Sequence, residues 1–276
     1  MAKIIVLGAG LVGLSTALLL ARDGHDVTIL ERDSAPPPDL PTAAWDGWQR
    51  PGVGQFRQVH FLLPRWHAEM RLELPDVLDD LAAAGGYRTN TIGMLPTSLT
   101  GGVRPEDDRF DTITARRPVV EAVLAAVVAR TAGIRMVRGV SVTGLIAGLE
   151  PMAGVPRVVG VLARDVALRA DLVVDATGRR SAVPTLIQAI GGQRPAETRA
   201  ESGFVYYARH FRSTTPGERP AATATLLSHF DSVSLLTLPC DNDTWAVNIV
   251  ASARDKAARA LRDEHIWQRV ISQYPH

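Results

Sequence analysis

The opening stretch Lys3-Ile-Ile-Val-Leu-Gly8-Ala-Gly10-Leu-Val-Gly13, continuing through an apolar run to Gly24 and then Val27-Thr-Ile29-Leu30-Glu31, constrains the fold more than any other segment. It reads as strand, glycine turn, helix and second strand in one nucleotide-binding unit. Each glycine has its own mechanical reason. Gly8 permits the tight turn, Gly10 lets a pyrophosphate approach the backbone, and Gly13 lets the helix pack close to the strand. The helix N-terminus, with Leu11 and Val12 in its first turn, offers unpaired N–H groups and a positive dipole end to the anion. Glu31, 18 residues past Gly13, is placed to accept hydrogen bonds from a ribose, with Arg32 beside it. Residues 4 to 21 carry no charge, so a signal peptide or membrane span competes with this reading. Three glycines break its apolar face and the following strand ends on an acid, which argues for the nucleotide site.

At 276 residues and 46% hydrophobic, the chain can form one large or two modest domains with sizeable cores. Thirty Lys and Arg against 29 Asp and Glu leave a net charge of +1, and no basic run is interleaved with aromatics, so no nucleic-acid partner is expected. A single cysteine, Cys240, excludes an internal disulfide and a cysteine-based metal centre; it reads as a small buried hydrophobe. No targeting pattern is seen, and a cytoplasmic location with no membrane span is expected by default. Composition does not define the oligomeric state.

Ser34-Ala-Pro36-Pro37-Pro38 ends the first unit as loop. A helix is expected from Trp66 to Ala84, stopped by Gly85-Gly86, and short strands and turns over 87–113. A second helix starts at Arg117-Pro118 and runs to Arg130, with proline where its missing N–H is harmless. Strands are expected at Ile134–Val137, Val140–Ile146, Arg157–Leu162 and Asp171–Asp175. The last of these leads into Ala176-Thr177-Gly178-Arg179 and a helix to Ile190. Beyond residue 200, the segments Phe204–Phe211, Ala222–Phe230, Ser232–Pro239 and Thr244–Ser252 have the composition of an antiparallel meander, with Cys240-Asp-Asn-Asp-Thr244 as a hairpin turn. Asp255–Tyr274 reads as helix interrupted near Asp263. The expected fold is α/β: a Rossmann-like domain with a parallel sheet over 1–195, making an excursion at 87–113 toward a mainly antiparallel substrate domain over 196–276.

Three separated elements, the fingerprint ending in Glu31, the Arg117-Pro-Val-Val-Glu121 helix start and Asp171-Leu-Val-Val-Asp175-Ala-Thr-Gly178-Arg, together resemble the single-component flavoprotein aromatic hydroxylases, the FAD-dependent monooxygenases of p-hydroxybenzoate hydroxylase type. Weaker likeness lies in Pro51-Gly-Val-Gly-Gln55 with His60, in Tyr206-Tyr207-Ala-Arg209 and in Asn242-Asp243-Thr244-Trp245. The resemblance implies FAD as cofactor. Gly8, Gly10 and Gly13 would hold its pyrophosphate, Glu31 its adenosine ribose, and Arg117, or the adjacent Arg116, its phosphate or ribitol region. Asp175, Ala176, Thr177 and Gly178 would pass beside the pyrophosphate and ribityl chain, Val142 belongs to the same cofactor set, and Gln55 and His60 approach the isoalloxazine. Asp175 has an alternative reading as a strand-end cap.

The family's third cofactor motif, Gly-Asp-Ala, is missing: no Gly-Asp pair occurs in this sequence. A shortened form is therefore expected, whether truncated, fragmentary or naturally short. The chemistry implied is reduction of the flavin by NAD(P)H and transfer of one oxygen atom from dioxygen to a small hydrophobic or aromatic substrate, by hydroxylation or epoxidation. No catalytic triad is required and none is identified. Substrate contacts are expected from the antiparallel sheet at Tyr206, Arg209 and Phe211, with Leu226 and Leu235 as walls. An FAD-dependent dehydrogenase or reductase shares these motifs, as does a non-catalytic nucleotide-binding fragment. Halogenases of this build carry Trp-x-Trp-x-Ile, which Trp45-Asp-Gly-Trp48 does not match.

Overall fold

The computed structural model describes residues 1–150, 152, 154–164, 166–218 and 225–274. In chain order β1 (Lys3–Leu7), α1 (Leu11–Arg22) and β2 (Asp26–Glu31) are followed by the short α2 (Ala44–Gly47). Next come α3 (Pro64–Glu73), α4 (Pro75–Ala83), β3 (Tyr87–Asn90), the single turn α5 (Thr97–Thr100) and β4 (Asp111–Thr114). α6 (Arg117–Arg130) leads into β5 (Ile134–Arg138), β6 (Val142–Ala147), β7 (Val158–Ala163), β8 (Val166–Arg169), β9 (Leu172–Asp175) and α7 (Val183–Ala189). Then come β10 (Phe204–Arg212), β11 (Leu227–His229), β12 (Val233–Pro239), β13 (Thr244–Ser252) and α8 (Glu264–Ile271).

These elements separate into two compact units, one of Met1–Phe56 with Pro118–Thr198, the other of Arg57–Arg117 with Arg199–His276. The second unit takes in all of 57–117, a longer excursion than 87–113. In the first unit the strand order is β5-β2-β1-β9, all parallel. β1 is central and buried from Ile4 to Leu7, which is why it reads as an unbroken apolar run rather than an alternating one. α6 is buried almost all round from Pro118 to Val128, which fits its apolar composition. A three-stranded antiparallel sheet, β6-β7-β8, packs through Leu145, Val161 and Ala163 against Leu7, Leu30 and α7.

The second unit holds an antiparallel sheet of order β10-β13-β12-β11, backed on one face by α8 and a 3-10 turn through Trp267, Leu261 and Ala258. Alternation along β10 divides its residues between the two faces. Val205 and Tyr207 join the helix-backed cluster, while Phe204 and Tyr206 form an edge-to-face pair at 5.3 Å on the other side.

Several boundaries differ from expectation. The single helix over Trp66–Ala84 is two, because Pro75 cannot donate to the preceding turn and Leu74 leaves the helical region at φ −137, ψ 54. β8 was not expected; it is a four-residue edge strand whose exposed side chains give no periodic signal. Of the strand expected over Ala222–Phe230, Leu227–His229 form β11, while 219–224 lie outside the described residues. The terminal segment does break at Asp263, whose carboxylate accepts the Ile266 N–H at 3.0 Å and starts α8. Its earlier half is a 3-10 turn over Ala257–Arg262.

Candidate dinucleotide-binding site

The glycines of the first turn are distinguished by what a side chain would meet. A Cβ on Gly13 would sit 1.9 Å from the Gly8 carbonyl oxygen and 3.3 Å from the Ala176 Cβ. On Gly8, at φ +95, it would be 2.8 Å from the Ala176 carbonyl oxygen. Both glycines therefore serve close packing inside the protein, and the Ala176 segment abuts the turn. Gly10 is different: a Cβ there meets nothing within 4 Å, and its backbone is extended at φ −84. The space over Gly10 is open, at the N-terminus of a 12-residue helix that has no side-chain cap and no acid in its first turn. Val12 is 69% exposed there, while Leu11 is half-buried.

Glu31, at the end of β2, turns toward this bend. Its Oε2 accepts the Ala9 N–H at 2.7 Å and an Arg50 Nη2–H, and its Oε1 accepts the Asp33 N–H at 2.9 Å. Arg50 is fully buried and also donates from Nη1 to Glu121 at 2.6 Å and to the Ala9 carbonyl at 2.7 Å, and from Nε to Asp33 at 3.3 Å. Burial alone would raise the Glu31 carboxyl, but the Arg50 guanidinium and the Asp33 and Ala9 N–H groups hold it below its ordinary value. Arg50 is correspondingly raised, its desolvation outweighed by Glu121 and Glu31. The Arg50 guanidinium carbon lies 5.5 Å from the centre of the buried Trp48 ring, and that of Arg138 lies 6.0 Å from it. Arg50, Arg138 and the role of Glu121 were not foreseen. A glutamate inside the otherwise apolar run of α6 was the available signal, since a buried carboxylate demands a cation.

The other strand-end motif is self-supporting. Asp175 Oδ1 accepts the Thr177 N–H at 3.0 Å and its hydroxyl at 2.6 Å, and Oδ2 accepts the Ser181 hydroxyl, so this side chain caps its own turn. Gly178 is left-handed at φ +82. Arg32 donates to the Gly52 carbonyl at 3.4 Å, Val142 begins β6 and packs on the adjacent core, and Gln55 is exposed.

In the second unit Arg117 Nη1 lies 3.4 Å from His60 Nε2, so these two expected residues are neighbours. Arg116, the adjacent alternative, is engaged within the second unit. Its guanidinium is buried and spent on Asp241, at 2.7 Å from Nη2 and 3.1 Å from Nε. Asp241 is held below its ordinary value, burial being outweighed by that guanidinium. The expected substrate residues do not share a face. Arg209 stands 5.9 Å over the Trp267 ring and donates to the Arg262 carbonyl, and Phe211 stacks on Trp245 at 5.9 Å. Both are committed to the helix-backed side, as is the buried Leu235. Tyr206 alone faces away, lining a groove of about 540 Å³ with Phe204, Leu227, His229 and Leu236. The parity of Tyr206, Arg209 and Phe211 along one strand makes this separation unavoidable.

Residues 3–99 match the family model for FAD dependent oxidoreductases (DAO). Protein Rv3254 of Mycobacterium tuberculosis is 29% identical over 94% of this chain and 56% of its own length. PqsL of Pseudomonas aeruginosa, a probable FAD-dependent monooxygenase, superposes with a TM-score of 0.68 at 16% identity, over 98% of this chain and 66% of its own. The myxobacterial chondrochloren halogenase CndH gives 0.65 at 20% identity, over 98% and 57%. The fold is therefore that of the Rossmann-type FAD-binding flavoenzymes, and the chain spans little more than half the length of Rv3254. No described helix is long and apolar enough to cross a membrane.

Proposed function

We propose that this chain is an FAD-dependent monooxygenase, or the FAD-binding portion of one, acting with NAD(P)H and dioxygen on a small hydrophobic or aromatic substrate. The reading is carried by one observation: among the described residues, none comes within 4 Å of where a Gly10 Cβ would stand, although the glycines on either side of it are required by internal packing. That space suits a group pressed against main-chain amides, and the uncapped start of α1 suits an anion. Bound FAD would supply electron transfer from the nicotinamide and activation of dioxygen.

The chain's own residues bind and orient. The N–H groups after Gly10 hold the pyrophosphate. An ionised carboxylate has about four acceptor positions; three on Glu31 are taken by Ala9, Asp33 and Arg50, leaving Oε1 one position for a ribose hydroxyl. Arg50 fixes that carboxylate in place. Val142, Arg32, Gln55 and the turn Asp175–Gly178 continue the cofactor contacts of the first unit, and the resemblance alone adds Arg117 and His60 of the second. Within the second unit, the open groove walled by Phe204, Tyr206 and Leu227 is the candidate place for an apolar substrate.

A flavin-dependent dehydrogenase or reductase is the second reading. It is favoured by a local match, 62% identical over 34 residues, to D-amino acid dehydrogenase 2 of Mesorhizobium japonicum. The purified chain is to be mixed with FAD, desalted, and its visible spectrum recorded, then assayed for dioxygen uptake coupled to NAD(P)H oxidation. Retained flavin with substrate-stimulated uptake supports the monooxygenase; retained flavin with electron transfer only to other acceptors supports the reductase. A colourless protein refutes both.

A further inference from the structure

The sheet of the second unit carries one row of side chains across its groove face. Tyr206 on β10, Val250 on β13, Ser234 on β12 and His229 on β11 are directly opposite partners from strand to strand, so all four leave the same side. The row is aromatic at one end and polar at the other. Tyr206 packs edge-to-face with Phe204. At the far end His229 Nδ1 lies 2.9 Å from the Ser234 hydroxyl, a bond that orients the imidazole and leaves Nε2 for a ligand. Val250 and Leu236 line the apolar stretch between them.

The length and charge of the groove define what fits. Three strand spacings separate Tyr206 from His229, about 14 Å at the level of the backbone. A van der Waals contact at the aromatic end and a hydrogen bond at the imidazole leave about 8 Å for the ligand itself, a length that two or three fused rings with a terminal oxygen span and a single ring does not. The imidazole selects the oxygen group. Nε2 donates in one tautomer and accepts in the other; a hydroxyl answers both, whereas a carbonyl answers only a donor. Among the described residues lining the groove none is Arg or Lys, and the charged one is Asp231, so a carboxylate is disfavoured. We propose that the groove takes a neutral hydroxylated arene of two or three fused rings, its hydroxyl on His229 Nε2 and its far ring against Phe204 and Tyr206. This rests on the monooxygenase reading for the role of the groove and narrows the substrate class of that reading.

The test is calorimetric titration of the full chain at pH 7.5 with 2-naphthol, naphthalene, phenol and 2-naphthoate, in wild type, His229→Ala and His229→Gln, with FAD retention measured on the same samples. Wild type should bind 2-naphthol at least about tenfold more tightly than phenol, which buries one ring fewer, and than 2-naphthoate. His229→Ala should lose about tenfold toward 2-naphthol and nothing toward naphthalene, and His229→Gln should keep most of the affinity. A merely structural role would weaken both ligands together. Equal losses for 2-naphthol and naphthalene overturn the proposal, as does 2-naphthoate binding as tightly as 2-naphthol. A dimer in light scattering that Tyr206→Ser dissociates assigns the groove to a second copy of the chain and overturns it as well. Retained FAD without 2-naphthol binding refutes this inference and leaves the flavoenzyme reading standing; 2-naphthol binding by a colourless protein supports the groove and refutes the flavoenzyme.

Discussion

Gly10 and Gly13 are three residues apart in one motif, yet substitution of each is expected to fail differently. In Gly13→Ala the new methyl would lie 1.9 Å from the Gly8 carbonyl oxygen, against an ordinary contact well beyond 3 Å. Helix α1 must move by more than an ångström against β1, an overpacking that costs about 3 kcal/mol or more. In Gly10→Ala the methyl enters open space on an extended backbone. The loss of a favourable N-cap residue costs at most about 1 kcal/mol. Urea unfolding and FAD titration of both variants separate the two roles. Gly10→Ala should remain near wild-type stability while FAD affinity falls at least about tenfold, the equivalent of roughly 1.4 kcal/mol. Gly13→Ala should be destabilised before any ligand is added. Gly10→Ala that binds FAD at wild-type strength would refute the placement of the pyrophosphate over this bend.

Arg50→Met removes the cation shared by Glu31 and Glu121 and should destabilise the first unit by about 3 kcal/mol or more at pH 7. Without Arg50, burial raises the Glu31 carboxyl instead, so the deficit relative to wild type should shrink at pH 5; an equal deficit at both pH values would contradict the electrostatic account. Asp241→Ala leaves Arg116 buried without its carboxylate and should cost about 3–5 kcal/mol in chemical denaturation, detectable as loss of the second unit's transition. Burial pushes His210 from 6.5 down to about 4, so the folded state holds it neutral where the unfolded chain takes a proton. Its contribution is complete above pH 6.5 and is lost as pH falls toward 4. His210→Gln should therefore lose about 2 kcal/mol less than wild type between pH 7 and pH 5.

Local signals carried much of this fold. The glycine spacing located the turn because Gly8 and Gly13 answer to close approaches, of Ala176 to both and of the Gly8 carbonyl to Gly13, and the strand Leu172–Asp175 is marked by its uninterrupted apolar run. The hairpin at Asn242 and Asp243 was legible because both sit at positive φ, which Asn and Asp tolerate. What remained hidden depends on contacts between distant segments. Arg50 lies in an irregular stretch with no period and meets Glu31 and Glu121 only through folding. Arg116 and Arg117 are adjacent and chemically alike, and only the 125-residue reach to Asp241 separates the structural one from the other. The substrate candidates were misjudged for a simpler reason: period two already places Tyr206 opposite Arg209 and Phe211.

Because β10 shows Tyr206 to one environment and Val205, Tyr207, Arg209 and Phe211 to another, it decouples two kinds of change. Side chains on the groove side can vary in size and polarity while Trp267 and its neighbours keep the sheet anchored. A library randomised at Phe204 and Tyr206 would then retain folded members at high frequency, whereas one randomised at Tyr207 and Phe211 would mostly yield insoluble protein. The strand works as a selvedge: one side fastened, the other free to be re-patterned.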